Sequence, residues 1–267
     1  MRIHHLCTTL AMSALAISSA AAATTTLTGT LRDFCAPSIS GTCTQLSDFE
    51  GSIPGVVTNM TATTLSGGLP TAGANIVAGA SSVANFAKWY VDSPGYNLSQ
   101  AYSLTLAETA AGSGVYTYAS SSFFPIDGQL YGNQARSHNY HFTLHLEGQL
   151  SFADPTGGAD SSFSFTGDDD LWVFVNGQRF IDLGGVHGAS TASFTEETLK
   201  AAGLAAGTAY DLDIFFAERH TTASNFNITT SFAIQPPSNN VPEPGVLALL
   251  GTGLAGIAAW RRRRGAT

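Results

Sequence analysis

Three consecutive carboxylates directly before a run of five apolar residues constrain the fold of this chain most. Residues 167–177 read GDDDLWVFVNG. An uninterrupted apolar run of this length, here residues 171–175, is typical of a strand that is buried on both faces. Asp168, Asp169 and Asp170 at the entrance of such a strand repel one another unless a cation or hydrogen-bond donors hold them. Because hard oxygen ligands favour Ca²⁺, the sequence predicts a calcium site here, with a solvated acidic turn as the alternative.

The remaining ligands of such a site have to come from other loops. The acidic run lacks the D-x-D-x-D-G spacing of an EF-hand loop, in which one short segment supplies most of the ligands. Asn225 directly precedes a run of alternating apolar residues, and its side-chain carbonyl is a candidate ligand. The alternative is that Asn225 is an ordinary turn residue.

The N-terminus has the layout of a secretory signal peptide. Arg2 is followed by the apolar residues 6–17 and by the small residues 18–23. This order of a positive start, an apolar middle and a small-residue cleavage site predicts export, with cleavage near Ala22 or Ala23. We therefore assign residues 1–23 to the signal; an N-terminal anchor that is retained is the alternative.

The C-terminus has three parts, which we assign to residues 241–264. The motif Pro242-Glu243-Pro244 precedes the apolar residues 245–260, and four arginines follow at 261–264. Sixteen helical residues span about 24 Å, less than the roughly 30 Å of a bilayer core, so this is a short transmembrane tail with its arginines on the cytoplasmic side. The tail resembles the PEP-CTERM sorting signal, and an ordinary single-span anchor is the alternative. The resemblance implies a Gram-negative bacterium that makes exopolysaccharide, and an exosortase that cuts at the motif.

The charge of the exported part limits its partners. Between residues 24 and 240, six basic and eighteen acidic side chains remain, which gives a net charge of about −12. This excess of negative charge argues against nucleic acid and anionic membrane surfaces as partners. It is compatible with divalent cations and with neutral partners such as glycans.

The cysteines agree with an oxidising compartment. Cys7 leaves with the signal, so that Cys35 and Cys43 remain as a pair. In an exported protein such a pair predicts a disulfide, here one that closes a short loop. A metal site with two thiolates is the alternative, but it lacks a second pair of ligands.

Alternating apolar residues predict an all-β fold. Residues 139–152, 210–216 and 226–234 alternate between apolar and polar side chains, which is typical of half-buried strands. Asn176-Gly177 predicts a two-residue hairpin turn, and Thr195 as N-cap predicts one short helix over residues 195–202. Many short strands with Gly-rich turns indicate an antiparallel sandwich or barrel over residues 24–235, followed by a linker at 236–240.

Several motifs in this region resemble the fibro-slime domain, a relative of the protective-antigen-type β-domain of adhesins and flocculins. The matching stretches are GDDDLWVFVNG at 167–177, DLGGVHG at 182–188, YDLDIFFAERH at 210–220 and SNF at 224–226; Asp48-Phe49-Glu50 only echoes the opening of the family. The resemblance implies an antiparallel β-sandwich or barrel of the protective-antigen type. It also implies that Asp168 and Asp169, joined by a cis peptide bond, bind calcium, that the calcium binds sugar hydroxyls, and that Asp170 is a possible extra ligand.

Other candidate sites give weaker signals. Glu218 has the parity of a core-facing row, so it is either paired, for example with Arg219 or a backbone donor, or a metal ligand. His141 and His145 share a strand face but lie about 13 Å apart, which is far for one transition-metal ion. Signatures of hydrolases, zinc proteases and phosphate loops are absent. We therefore expect no enzyme; Asp169 and Glu218 as a glycosidase pair are a distant alternative.

Together these features predict an exported, surface- or matrix-associated binding protein. We expect it to bind exopolysaccharide or a cell-surface glycan through calcium at Asp168, Asp169, Asp170 and Asn225. We also expect contact with an exosortase during sorting, and no contact with nucleic acid. The alternative is a structural matrix or cell-surface protein in which calcium only stabilises the fold.

Overall fold

A single antiparallel sheet organises the residues that the computed structural model describes, which are 21–35, 43–153 and 160–238. The strands are β1 (Thr24–Phe34), β2 (Asn97–Glu108), β3 (Tyr116–Ser120), β4 (Phe142–Ser151), β5 (Ser162–Gly167), β6 (Asp170–Val175), β7 (Gln178–Leu183), β8 (Ser190–Thr195), β9 (Tyr210–Glu218), β10 (Phe226–Thr230) and β11 (Ala233–Gln235). The helices are α1 (Ile76–Gly79), α2 (Val83–Phe86) and α3 (Glu196–Ala201).

The sheet is nearly closed. Its strand order is β7-β6-β9-β4-β1-β2-β3-β10-β5-β8, and β11 pairs with β4. The two outermost strands, β7 and β8, lie against each other. This closure leaves little free sheet edge on which another chain could pair. The prediction of an all-β antiparallel barrel or sandwich is confirmed.

The strand after the acidic triplet is buried on both faces, as predicted. Every residue of β6 is buried. Leu171, Val173 and Val175 pack into the main core of the barrel. Trp172 and Phe174 face a second apolar cluster, which is formed largely by residues 46–90. The apolar run is therefore uninterrupted because each face of β6 meets a different core.

The second cluster also explains why the burial of β4 differs from the prediction. β4 was expected to be half-buried, but His141 and Thr143 on its polar face are buried because residues 46–90 cover them. The same segment includes α1 and α2, so that α3 is not the only helix of the described residues. The longest strand, β2, was not predicted at all.

Short-range signals were more reliable. Asn176 and Gly177 have φ angles of 51° and 70°, which fit a type I′ turn between β6 and β7. Thr195 caps α3 and forms a capping box with Thr198. Cys35 and Cys43 are joined by a disulfide with a Cα–Cα distance of 5.8 Å.

Both ends of the chain carry predictions that lie outside the described residues. These are the first twenty residues of the signal and the tail from residue 239, with its motif Pro242-Glu243-Pro244. Within the described ranges, none of the helices is long and apolar enough to span a bilayer.

Candidate functional site

The acidic triplet connects two strands at one end of the sheet. β5 ends at Gly167 and β6 begins at Asp170, so that Asp168 and Asp169 form the link between them. The peptide bond between Asp168 and Asp169 is cis, the form that the family resemblance implies. Asp168 and Asp169 are each 5% exposed, whereas Asp170 is completely buried. All three aspartates are therefore buried, and only Asp168 and Asp169 retain a small accessible surface.

Asp168 is bound by Asn225. β10 pairs with β5 so that Phe226 lies opposite Gly167, which brings the loop before β10 next to the end of β5. The backbone N–H of Asn225 donates to Asp168 Oδ1, and Asn225 Nδ2 donates to Asp168 Oδ2 over 2.8 Å. The two residues predicted as ligands from distant parts of the chain are thus in contact. A cation here would need the amide turned so that Oδ1 faces it.

Asp169 is held by the backbone of two loops. The N–H of Arg219, directly after β9, donates to Asp169 Oδ2 over 3.0 Å. The N–H of His187, after β7, donates to Asp169 Oδ1 over 3.3 Å. Burial and the nearby Asp170 nevertheless raise the pKa of Asp169 to about 7. Two backbone donors therefore do not compensate for the charge of this carboxylate.

Asp170 has a different environment from its two neighbours. Its Oδ1 accepts a hydrogen bond from the N–H of Gly185 over 2.6 Å, and its Oδ2 pairs with Arg219 Nε over 2.5 Å. The Arg219 guanidinium packs over the ring of Trp89 and donates through Nη1 to the carbonyl of Asp48. Asp170 differs from Asp168 and Asp169 in that a guanidinium, that of Arg219, balances its charge.

Glu218 adds a fourth carboxyl group to this end of the sheet. It is 1% exposed, and its Oε1 accepts a hydrogen bond from the N–H of His220 over 3.4 Å. Its Oε2 has no hydrogen-bond partner in the described part of the chain. Of the partners predicted for Glu218, the backbone donor is present as the N–H of His220, whereas the Arg219 guanidinium binds Asp170 instead. Burial, together with Asp169 and Asp168, raises the pKa of Glu218 well above its usual value.

These four carboxyls, Asp168, Asp169, Asp170 and Glu218, are here called the strand-end cluster. Their one guanidinium partner, Arg219, is used by Asp170. Buried carboxylates without a compensating charge take up protons or bind a cation. The oxygens of Asp168, Asp169 and the Asn225 side chain are the hard donors that Ca²⁺ prefers. This donor set fits calcium.

A second acidic group lies elsewhere on the sheet. His145, Glu147 and Asp213, here called the sheet-face cluster, have ligand atoms within 4.8 Å of one another. Glu147 lies opposite Asp213 in the pairing of β4 with β9, and His145 Nε2 is 2.9 Å from Asp213 Oδ1. His141 contacts Glu50 instead, over 3.1 Å. His141 and His145 therefore have different carboxylate partners.

The sequence did not identify the residues that fix the loop after β9. The N–H of Glu50 donates to the carbonyl of Arg219 over 2.8 Å, and the N–H of Thr221 donates to Glu50 Oε1 over 3.0 Å. Asp48 accepts from Arg219 through its carbonyl oxygen. The segment 48–50 thus holds the loop that donates to Asp169. The resemblance of Asp48-Phe49-Glu50 to the family's opening was the available signal.

Two family models match the chain. Residues 126–245, which include the strand-end cluster and Asn225, match the PA14 domain. Residues 240–264 match the PEP-CTERM protein-sorting motif. The chain is thus similar to the PA14 domain over residues 126–245 and to the PEP-CTERM protein-sorting motif over residues 240–264.

Two proteins of Dictyostelium discoideum are similar in sequence to this chain. Protein psiQ of Dictyostelium discoideum is 37% identical over 165 residues, which cover 57% of this chain and 16% of psiQ. Protein psiC of the same organism is 36% identical over 158 residues, which cover 56% of this chain and 29% of psiC. The chain thus spans less than a third of either relative.

Two solved structures are similar in outline. A PA14 sugar-binding domain from an RTX adhesin has 14% identity and a TM-score of 0.37, and the match covers 79% of this chain and 95% of that domain. The PA14 domain of the MpAFP antifreeze protein has 10% identity and a TM-score of 0.34, with 84% and 98% covered.

Proposed function

We propose that this chain is an exported, surface- or matrix-associated protein that binds extracellular polysaccharide through a calcium-dependent β-domain. The proposal includes membership of the fibro-slime branch of PA14-type domains. It also includes release from a temporary membrane tether by an exosortase, and a binding role without catalysis.

One observation carries the calcium part of this proposal. Asp168 and Asp169 lie side by side between β5 and β6, within a buried cluster that has more carboxyls than cations. The raised pKa of Asp169, to about 7, reflects the burial of this charge. A divalent cation relieves the repulsion without removing the carboxylates.

The residues have separate roles in this proposal. Asp168, Asp169 and the Asn225 side chain hold the ion, while the backbone N–H groups of Arg219 and His187 orient Asp169. Arg219 also neutralises Asp170 and so keeps it out of the ligand set. Calcium, when bound, supplies open coordination positions that vicinal sugar hydroxyls can fill.

Retention on immobilised glycans, including native exopolysaccharide, tests the function. The full chain, its Asp169→Asn variant and its Glu147→Gln variant are applied in calcium and in excess EDTA. We expect retention of the parent and of Glu147→Gln in calcium, and none in EDTA or with Asp169→Asn. Retention that EDTA leaves unchanged contradicts the calcium role. Calcium-dependent melting without retention on any glycan supports the structural alternative.

A further inference from the structure

The residue before β1 is bound by a glutamate at the end of the neighbouring strand. Thr24, the first residue of β1, lies opposite Ala107 on β2. The next pair outward, Ala23 and Glu108, is joined by two hydrogen bonds. The N–H of Ala23 donates to Glu108 Oε2 over 3.1 Å, and the N–H of Glu108 donates to the carbonyl of Ala23 over 2.8 Å. Ala23 is therefore part of the folded sheet, although its sequence position placed it at the end of the signal.

The carboxylate of Glu108 carries a charge that no side chain is seen to balance. Glu108 is 8% exposed, and its Oε1 accepts a hydrogen bond from the N–H of Gly114 over 2.7 Å. The backbone N–H groups of Gly114, Ala23 and Gly112 hold the pKa of Glu108 below its usual value. Gly112 and Gly114 have φ angles of 77° and 67°, a conformation that lets a turn direct its N–H groups at an anion. Among the described residues, the groups that stabilise this charge are thus backbone donors.

Signal cleavage would supply the missing positive charge at one particular bond. Ala21 and Ala22 are exposed and precede β1. Hydrolysis of the peptide bond between Ala22 and Ala23 consumes one water and leaves a carboxylate on Ala22 and an ammonium group on Ala23. The nitrogen of that ammonium group is the atom that lies 3.1 Å from Glu108 Oε2. An ammonium and a carboxylate at this distance form an ion pair, whereas the uncut peptide offers a neutral N–H.

Cleavage at either neighbouring bond does not produce this arrangement. A cut between Ala23 and Thr24 removes Ala23 and with it both hydrogen bonds to Glu108. A cut before Ala22 leaves the nitrogen of Ala23 in a neutral amide. We infer that the signal is cut between Ala22 and Ala23, and that Glu108 is a binding site for the new amino terminus. The inference rests on the predicted signal peptide.

This site is separate from the proposed calcium site. Ala23 precedes β1, whereas Asp33 near the other end of β1 lies opposite Phe142 on β4. Phe142 in turn lies opposite Glu218 of the strand-end cluster. The two sites are thus at opposite ends of the sheet, and binding of the amino terminus needs neither calcium nor a glycan.

The first test is the N-terminus of the exported, processed chain, determined by mass spectrometry. We expect the mature protein to begin at Ala23. A mature protein that begins at Thr24 or later, or at Ala22 or earlier, overturns the inference, because neither has an amino group next to Glu108.

The second test is the dependence of the melting temperature on pH, from neutral to alkaline. An ion pair with Glu108 raises the pKa of the Ala23 amino group above the usual value of a chain terminus, about 7.7–8.0. The stability that it adds is complete below that usual value and is lost as the pH rises through the raised one. We therefore expect the melting temperature of the processed protein to fall over this range, and to fall less in Glu108→Gln.

Acetylation of the amino terminus separates the charge from the hydrogen bond. At mildly acidic pH the lysines are protonated and unreactive, so that the amino terminus is acetylated selectively. The product keeps Glu108 and an N–H donor on Ala23, and loses only the positive charge. We expect its melting temperature to fall less than that of the unmodified protein, as in Glu108→Gln. Glu147→Gln, which changes an exposed glutamate on β4, is the matched control and should behave like the parent.

A fall in the acetylated protein that equals the fall in the parent overturns the inference, and so does an equal fall in folded Glu108→Gln. The acetylated protein decides the question even where Glu108→Gln does not fold. Because every arm is measured in excess EDTA without glycan, these results leave the glycan-retention test of the proposed function unaffected.

Discussion

The two acidic clusters lie on the same sheet but in different surroundings. In the sheet-face cluster Glu147 is exposed, and His145 is close to Asp213. In the strand-end cluster all four carboxyls are buried, and one guanidinium serves only Asp170. The number of acids alone therefore does not decide whether a cluster binds a cation. Burial without a matching counter-charge favours cation binding, because solvent no longer screens the repulsion between the carboxylates.

The largest expected effect comes from removing the single cation of the strand-end cluster. Arg219→Met leaves Asp170 buried and unpaired, which should lower the free energy of unfolding by about 3–5 kcal/mol. The corresponding change in the sheet-face cluster, Asp213→Asn, removes a less buried contact and should cost about 1 kcal/mol. Urea unfolding in EDTA measures both. If Arg219→Met lowers the free energy of unfolding by less than about 1 kcal/mol, the buried pair of Arg219 and Asp170 is not needed for stability, and this prediction is contradicted.

A second expected effect is a dependence of stability on pH in the absence of calcium. Burial raises the pKa of Asp169 and of Asp33 from 3.8 to about 7. The folded state then holds protons that the unfolded state has released, so that stability should fall as the pH rises from about 4 to about 7. Unfolding curves across this range, in EDTA, measure the decline.

Asp33 serves as the control for this effect. It is buried at the end of β1 and accepts a hydrogen bond from the N–H of Tyr131 over 2.8 Å. Saturating calcium should remove the part of the decline that comes from Asp169, and Asp33→Asn should remove the part that comes from Asp33 with or without calcium. Glu218, whose pKa is also raised, contributes a further part that Asp33→Asn does not change. A decline that calcium leaves intact in Asp33→Asn contradicts the proposed ion at Asp169.

The sequence predicted those parts of the fold that depend on local pattern. The apolar run of β6, the Asn176-Gly177 turn and the Thr195 cap depend on neighbouring residues, and each is confirmed. The segment 46–90 could not be predicted in this way. Its apolar residues follow no strand or helix period, because they fill the space against Trp172 and Phe174 rather than form one face of a regular element.

The candidate site was predictable only in part for a similar reason. The acidic run and its position at a strand entrance are visible in the sequence, and so is Asn225 as a candidate partner. The separate environment of Asp170 was not visible. It depends on Arg219, which is 49 residues away and reaches Asp170 only because β6 pairs with β9.

The smallest expected effect concerns the sheet-face cluster. Glu147→Gln removes a like charge directly opposite Asp213 and should change the free energy of unfolding by less than about 1 kcal/mol, in the stabilising direction. It should leave the response to calcium unchanged. If this variant loses the response to calcium, the ion binds at the sheet-face cluster rather than at the strand-end cluster.

The central claim is that a divalent cation binds at Asp168 and Asp169. The most direct measurement is the melting temperature in saturating calcium against excess EDTA, for the parent, Asp169→Asn and Glu147→Gln. Calcium at about 100 times its dissociation constant adds about 2.7 kcal/mol, which raises the melting temperature of a domain of this size by about 5–10 °C. We predict this rise in the parent and in Glu147→Gln, and none in Asp169→Asn. The same melting temperature in calcium and in EDTA for the parent, or an unchanged rise in Asp169→Asn, contradicts the claim.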